Sequence, residues 1–176
     1  ATGLPVAVPI SAIVPIGGTV KVVVTKQNHY RHYSSFLVIS PDNPYVVTES
    51  FTVNDPTGNV NNHLDTGETA FLSLTEKNLG TVASDNTIVT AQLADPYITF
   101  IDNTEDYGTI EGEELKTVAD GFSVQIANNV PDMHAVLATM TATNGVDYWT
   151  SYIMLECWAP ELVVSNMTVG DSQGGN

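Results

Sequence analysis

"HAVLATMTATNGVDYWTSYIML", residues 134 to 155, reads as two strands and the turn between them. On either side of Asn144-Gly145 apolar and polar residues alternate with a period of two, which is the period of a strand and not of a helix. Asn and Gly both tolerate positive φ, so the dipeptide predicts a two-residue type I′ turn. The alternation sets Trp149, Ile153 and Leu155 on one face and Tyr148, Tyr152 and Met154 on the other.

The same pattern continues outward from that hairpin. "TVKVVVT" (19 to 25), "SSFLVIS" (34 to 40), "YVVTESFTV" (45 to 53), "TAFLSLTEKN" (69 to 78), "TIVTAQL" (87 to 93) and "KTVADGFSVQI" (116 to 126) are short, β-branched and bounded by Gly, Pro, Asn or Asp. No comparable stretch has helical spacing. Many short strands with regular turn residues predict an all-β fold, an immunoglobulin-like antiparallel β-sandwich.

The 176 residues are 43% hydrophobic, enough to build a core. With 5 basic against 20 acidic residues the formal net charge is −15, which repels nucleic acid phosphates and anionic membrane surfaces and favours cations as partners. No apolar run approaches the ~20 residues of a membrane helix, and no basic region followed by an apolar core marks a signal peptide. Neither nucleic acid binding nor membrane insertion is expected, and an exported protein would carry its address outside this sequence. The single Cys157 cannot form an internal disulfide. It reads as a small, half-buried residue near a strand end, because a nucleophile needs a His and an orienting carboxylate around it.

An internal repeat sets the domain boundaries. "PYVVTESFTVNDPTGN" (44 to 59) aligns with "PELVVSNMTVGDSQGG" (160 to 175), pairing Pro44 with Pro160, Val47 with Val163, Val53 with Val169 and Asp55 with Asp171. The unit is about 116 residues, the size of an immunoglobulin-like sandwich. Residues 1 to 42 are expected to close a preceding sandwich, 44 to 159 to form a complete one, and 160 to 176 to begin the next.

Between two of these strands lies "TGNVNNHLDTGE", residues 57 to 68. With Glu68 in the twelfth position of an EF-hand-type loop, Thr57 stands first, Asn59 third, Asn61 fifth, His63 seventh and Asp65 ninth. That spacing turns alternate oxygens inward, with a backbone carbonyl from the seventh position and a bidentate carboxylate from the twelfth. Leu64 occupies the eighth place, where an apolar anchor sits. Thr57 stands where Asp is expected, with Asp55 near enough to supply that charge, and Asn62 replaces the turn glycine, a place its tolerance of left-handed backbone allows. So few carboxylates imply affinity in the roughly 10⁻⁴ to 10⁻³ M range of extracellular calcium modules. The alternative is a polar loop of Asx turns, empty or holding sodium.

"DPTGNVNNHLDTGETAFLSLTEKNLGT" (55 to 81) resembles the opening of the immunoglobulin-like modules in large secreted proteins of Bacteroidetes, patterned D-x-x-G-N-x-N-x-x-L-D-x-G-E and then L-x-L-x-x-x-N-x-G. "DPYITFIDNTEDYGTI" (95 to 110) resembles the same modules. "VKVVVTKQNHYRHYSSFLVISPDNPYVV" (20 to 47) resembles the junction that follows the peptidase and its small sandwich in gingipain-like cysteine peptidases. The resemblance implies export by type IX secretion, calcium on Asn59, Asn61, Asp65 and Glu68, and a peptidase that lies upstream.

Two further stretches invite sharper readings. His29-x-x-His32 in "KQNHYRHY" has the look of a zinc pair, or its aromatics could stack on a sugar, but no further ligands lie nearby and a hairpin or interdomain contact is expected. "DNTEDYGTIEGEELK" (102 to 116), with its six carboxylates, is expected to be a solvated loop, with a second cation site as the alternative.

The sequence thus points to a non-catalytic, calcium-stabilised spacer or adhesin module, secreted or attached at the cell surface, whose partners are the neighbouring domains of its own chain. The alternative is a module binding carbohydrate or a host protein, which exposed aromatics gathered on one face would favour. Part of a cysteine peptidase active unit is a third alternative.

Overall fold

The computed structural model describes residues 18–38, 42–160 and 166–167. Every element among them is a strand, and the all-β sandwich expected from the sequence is what forms. One four-stranded sheet takes β3 (Val46–Asn54), β5 (Thr69–Asn78), β9 (Leu115–Ile126) and β7 (Ile98–Asp102) in the order β3-β5-β9-β7. A five-stranded sheet takes β4 (Leu64–Asp65), β11 (Tyr148–Trp158), β10 (His134–Thr143), β6 (Ser84–Gln92) and β8 (Thr104–Ile110) in the order β4-β11-β10-β6-β8. All these pairings are antiparallel except that of the short β4 with β11.

Alternation decides which side chains meet between the sheets. Along β5, Ala70, Leu72 and Leu74 are buried, and Phe122 and Val124 of β9 join them from the same sheet. From the other sheet come Val89, Ala91, Ala138, Met140, Ala142, Ile153 and Leu155. Trp149, Ile153 and Leu155 do point inward while Tyr148, Tyr152 and Met154 face out, as the period predicts.

The hairpin's turn differs from expectation. Thr143 pairs with Tyr148, so four residues connect the strands, and of the Asn-Gly dipeptide only Gly145 has positive φ, at 85°. The Asn144 side chain works as an acceptor instead, taking the amides of Val146 and Asp147 on Oδ1, while the Thr143 hydroxyl donates to the Asp147 carbonyl.

The acidic run also differs. It is strand, not solvated loop: β8 and the start of β9 cover most of it. Tyr107 and Ile110 turn into the core, and the Tyr107 hydroxyl donates to the Leu74 carbonyl of the opposite sheet. Glu105 is half-buried, and the two inward residues stand three apart because the register with β6 shifts around Thr87, which masks the alternation.

β1 (Thr19–Val24) and β2 (His32–Leu37) pair as a two-stranded sheet, with His29 and Tyr30 in the exposed connection. The "KQNHYRHY" segment is therefore the turn of a hairpin, and Arg31 lies over the Tyr33 ring at 5.6 Å. The start of a following unit expected at 160 to 176 lies outside the described residues, apart from Pro160, Asn166 and Met167, and so do residues 1 to 17 and 39 to 41 of the preceding one.

Candidate metal centre

The loop from Asp55 to Glu68 joins β3 of one sheet to β5 by way of β4, which belongs to the other. Leu64, the expected anchor, is buried and pairs in parallel with Cys157, while Asp65 pairs with Trp158. The Thr66 amide donates to the Trp158 carbonyl at 3.0 Å. The Thr66 hydroxyl reaches the Asn128 carbonyl in the loop between β9 and β10. The His63 ring meets Trp158 edge to face, with centroids 5.7 Å apart. Both sheets thus hold the second half of the loop.

Asp55 holds the first half. It is wholly buried, and its Oδ1 and Oδ2 accept the amides of Asn62 (2.8 Å) and Asn61 (3.1 Å). Burial pushes its pKa up, but these amides and that of Val60 outweigh burial and hold the carboxyl below its ordinary range. Asp55 therefore stays ionised and organises the loop from inside. Asn62 has φ of 63°, the left-handed conformation required where a glycine would stand. Val60 is left-handed as well, at 57°, a strained state for a β-branched residue.

Asp65 is the focus of the loop. Asn59 Nδ2 and Asn61 Nδ2 both donate to its Oδ2 at 2.8 Å. Asn59 Oδ1 accepts the Asn61 amide and Asn61 Oδ1 accepts the His63 amide, so Asx turns are present and each side-chain oxygen keeps a free lone pair. Glu68 closes the group. Its Oε2 is buried without a hydrogen-bond partner among the described residues. Burial is the largest influence raising its pKa, the charges of Asp65 and Asp55 add to it, and the Asn59 amide opposes them.

Of the seven residues singled out in the sequence, Asp55, Asn59, Asn61, Asp65 and Glu68 are thus linked by hydrogen bonds or mutual fields. Thr57 is exposed, and His63 turns its ring to Trp158 and gives its amide to Asn61. Among the described residues no three His, Cys, Asp or Glu side chains converge at metal-ligating distance, so a cation here would depend on Asn amide and backbone oxygens beside the carboxylates. Spacing did not reveal Gly58, on whose α-carbon the Glu68 carboxylate packs.

Cys157 is fully rather than half buried, and the structure does bring a His and a carboxylate near it. His134 is its partner across the β10–β11 ladder, and His134 Nε2 lies 2.9 Å from Asp95 Oδ2. The charge balance is wrong for a nucleophile: burial, with help from Asp95 and Asp65, pushes the thiol up to about 11.

Comparison with protein-family models gives no match, and comparison with curated proteins gives none either.

Proposed function

We propose that this chain is a non-catalytic spacer or adhesin module of a secreted or cell-surface multidomain protein, immunoglobulin-like in fold and stabilised by calcium in the 55–68 loop. The strand order β3-β5-β9-β7 against β4-β11-β10-β6-β8 supports the immunoglobulin-like assignment, since its first sheet follows the ABED order and the middle of its second follows GFC, with β4 and β8 as added edge strands. The observation that carries the calcium assignment is the buried, unpartnered Oε2 of Glu68, held beside two further carboxylates whose charges disfavour it. A hard cation relieves both conditions. Rotation of the Asn59 and Asn61 amides would exchange NH2 for oxygen toward the ion, while Asp65 and Glu68 supply charge. Because the loop is tied to both sheets, an ion there stiffens one end of the sandwich, the end from which the chain would pass to neighbouring modules. A gingipain-like peptidase as the parent protein is part of the same proposal and rests on the sequence resemblance alone.

The test is a melting curve in calcium, in magnesium and in chelator, on protein first stripped of metal. With Kd near 1 mM, about 10 mM calcium adds roughly 1.4 kcal/mol of stability and raises Tm by several degrees. Magnesium does less, because it gives up water reluctantly and demands stricter geometry. An unchanged Tm across the three conditions would overturn the proposal.

One observation favours a second reading. Tyr148, Tyr152, Met154 and Trp158 are all exposed on the outer face of β11, in a row along the strand. An aromatic row of this kind suits a carbohydrate or a host protein surface. Binding to a glycan array that is lost in Tyr152→Ala and retained in calcium-free protein would establish it.

A further inference from the structure

Glu76 sits at an inward position of β5, next along that face from Leu74, and its side chain is wholly buried. Its Oε1 accepts the Thr48 hydroxyl at 2.8 Å, and its Oε2 has no partner among the described residues. Thr48 in turn donates its amide to Ser151 Oγ of β11 at 3.0 Å. One chain of contacts therefore runs from the core carboxyl, through the edge strand β3, to the opposite sheet. A bulge at Glu49, between the register pairs of Thr48 and Ser50, accompanies this placement of Thr48.

We propose that Glu76 is a pH-sensitive latch on strand β3: protonated, it lets β3 close the open side of the sandwich, and ionised, it drives β3 to lift and admit water.

The groups around the carboxyl offer it no compensation. On β3, Glu49 is exposed and of the same sign. On β9, Lys116 stands opposite Glu76 in the ladder, but its Nζ donates to the Thr109 carbonyl at 2.8 Å. On β8, buried Tyr107 gives its hydroxyl to Leu74, and burial, with the charges of Glu76 and Glu105 added, raises its pKa. From β11 the contact is the uncharged Ser151. Burial raises the Glu76 pKa to about 7, opposed by the Thr48 hydroxyl.

Which element yields follows from the topology. β5 and β9 are each paired on both sides, whereas among the described residues β3 is the edge of its sheet and pairs with β5 alone. Lifting β3 hydrates the ion while breaking one ladder, so it is the least costly route. The sign is that of a carboxyl with raised pKa. The folded state holds its proton more tightly than the unfolded chain, so closure is favoured at low pH and weakens as pH rises from about 4.5 through 7.

Native-state hydrogen exchange, expressed as protection factors, tests the latch. Between about pH 5 and pH 8.5 the β3 amides of wild type should lose protection by roughly 100-fold, while those of β10 change little. Glu76→Gln keeps the shape without the charge and should abolish the pH dependence. If Glu76→Gln loses β3 protection as wild type does, or wild type loses none, the latch is wrong. Thr48→Val gives an independent arm should the Gln variant not fold. Removing a donor to the carboxylate moves the transition to higher pH, and no shift, or a shift to lower pH, overturns the proposal.

Discussion

The Glu68 carboxylate lies over the α-carbon of Gly58, in the space a β-carbon would occupy. Nine residues of loop separate the two, yet this contact turns the carboxylate back over the loop beside Asn59. Gly58→Ala places a methyl group against that carboxylate. The carboxylate is the far end of a flexible side chain and can swing aside, so stability in chelator should change by less than about 1 kcal/mol. The calcium-induced rise in Tm should fall by half or more, because the displaced group is the proposed bidentate ligand. A full calcium response in Gly58→Ala would show that Glu68 does not bind the ion from this position.

Asp95 should contribute stability only where it is ionised. Burial pushes its pKa up, but the Tyr97 amide, the His134 ring and the Ile98 amide together hold it below 3.8. A depressed carboxyl pKa gives stability that is fully present above the unfolded value and is lost as pH falls through the folded one. Asp95→Asn keeps an acceptor for the two amides but loses the charge toward His134. It should cost about 1 kcal/mol near neutral pH, and the difference from wild type should shrink in acid as pH falls through the lowered folded pKa. Denaturant titrations of both proteins across pH measure this directly.

The sandwich was legible in the sequence wherever one face is apolar and the other is not. β5 is the clearest case: the period runs unbroken from Thr69 to Asn78, and the strand has those ends. β8 was hidden because Glu105 and Asp106 dominate the composition while Tyr107 and Ile110 carry the burial. β4 is two residues long, too short for any period to register. The loop's ligand spacing was legible because it is local. The contacts that make it a site are not: Gly58 under Glu68, Trp158 against His63 and the buried position of Asp55 depend on how the strands pack. Glu76 shares the parity of Ala70, Leu72 and Leu74, so the period alone turns it inward; the Thr48 hydroxyl that meets its carboxyl comes from another strand and is not local.

Cys157 should behave as a core residue. Cys157→Ala removes a sulfur from a fully buried position beside Leu64, and a cavity of that size costs about 1 kcal/mol. In native protein the thiol should resist alkylation near neutral pH and react promptly once the chain is unfolded. Fast labelling of folded protein would show that β11 opens around it.

The loop carboxylates should separate into two roles when each is made neutral. Asp55 organises the backbone: its two oxygens take two different amides, and an Asn side chain offers one acceptor oxygen in their place. Asp55→Asn should therefore lower Tm both in chelator and in calcium. Glu68 stands under the repulsion of Asp65 and Asp55, with one oxygen unpartnered, so without an ion its charge is unfavourable. Glu68→Gln should leave Tm in chelator at or above the wild-type value while removing most of the calcium response. Asp65→Asn should lose the response too, and it should also loosen the loop, since Asn59 and Asn61 both donate to its carboxylate. Paired melting curves in calcium and chelator distinguish the roles. If Glu68→Gln lowers Tm in chelator as much as in calcium, the carboxylate is only part of a polar turn and the ion belongs elsewhere or nowhere.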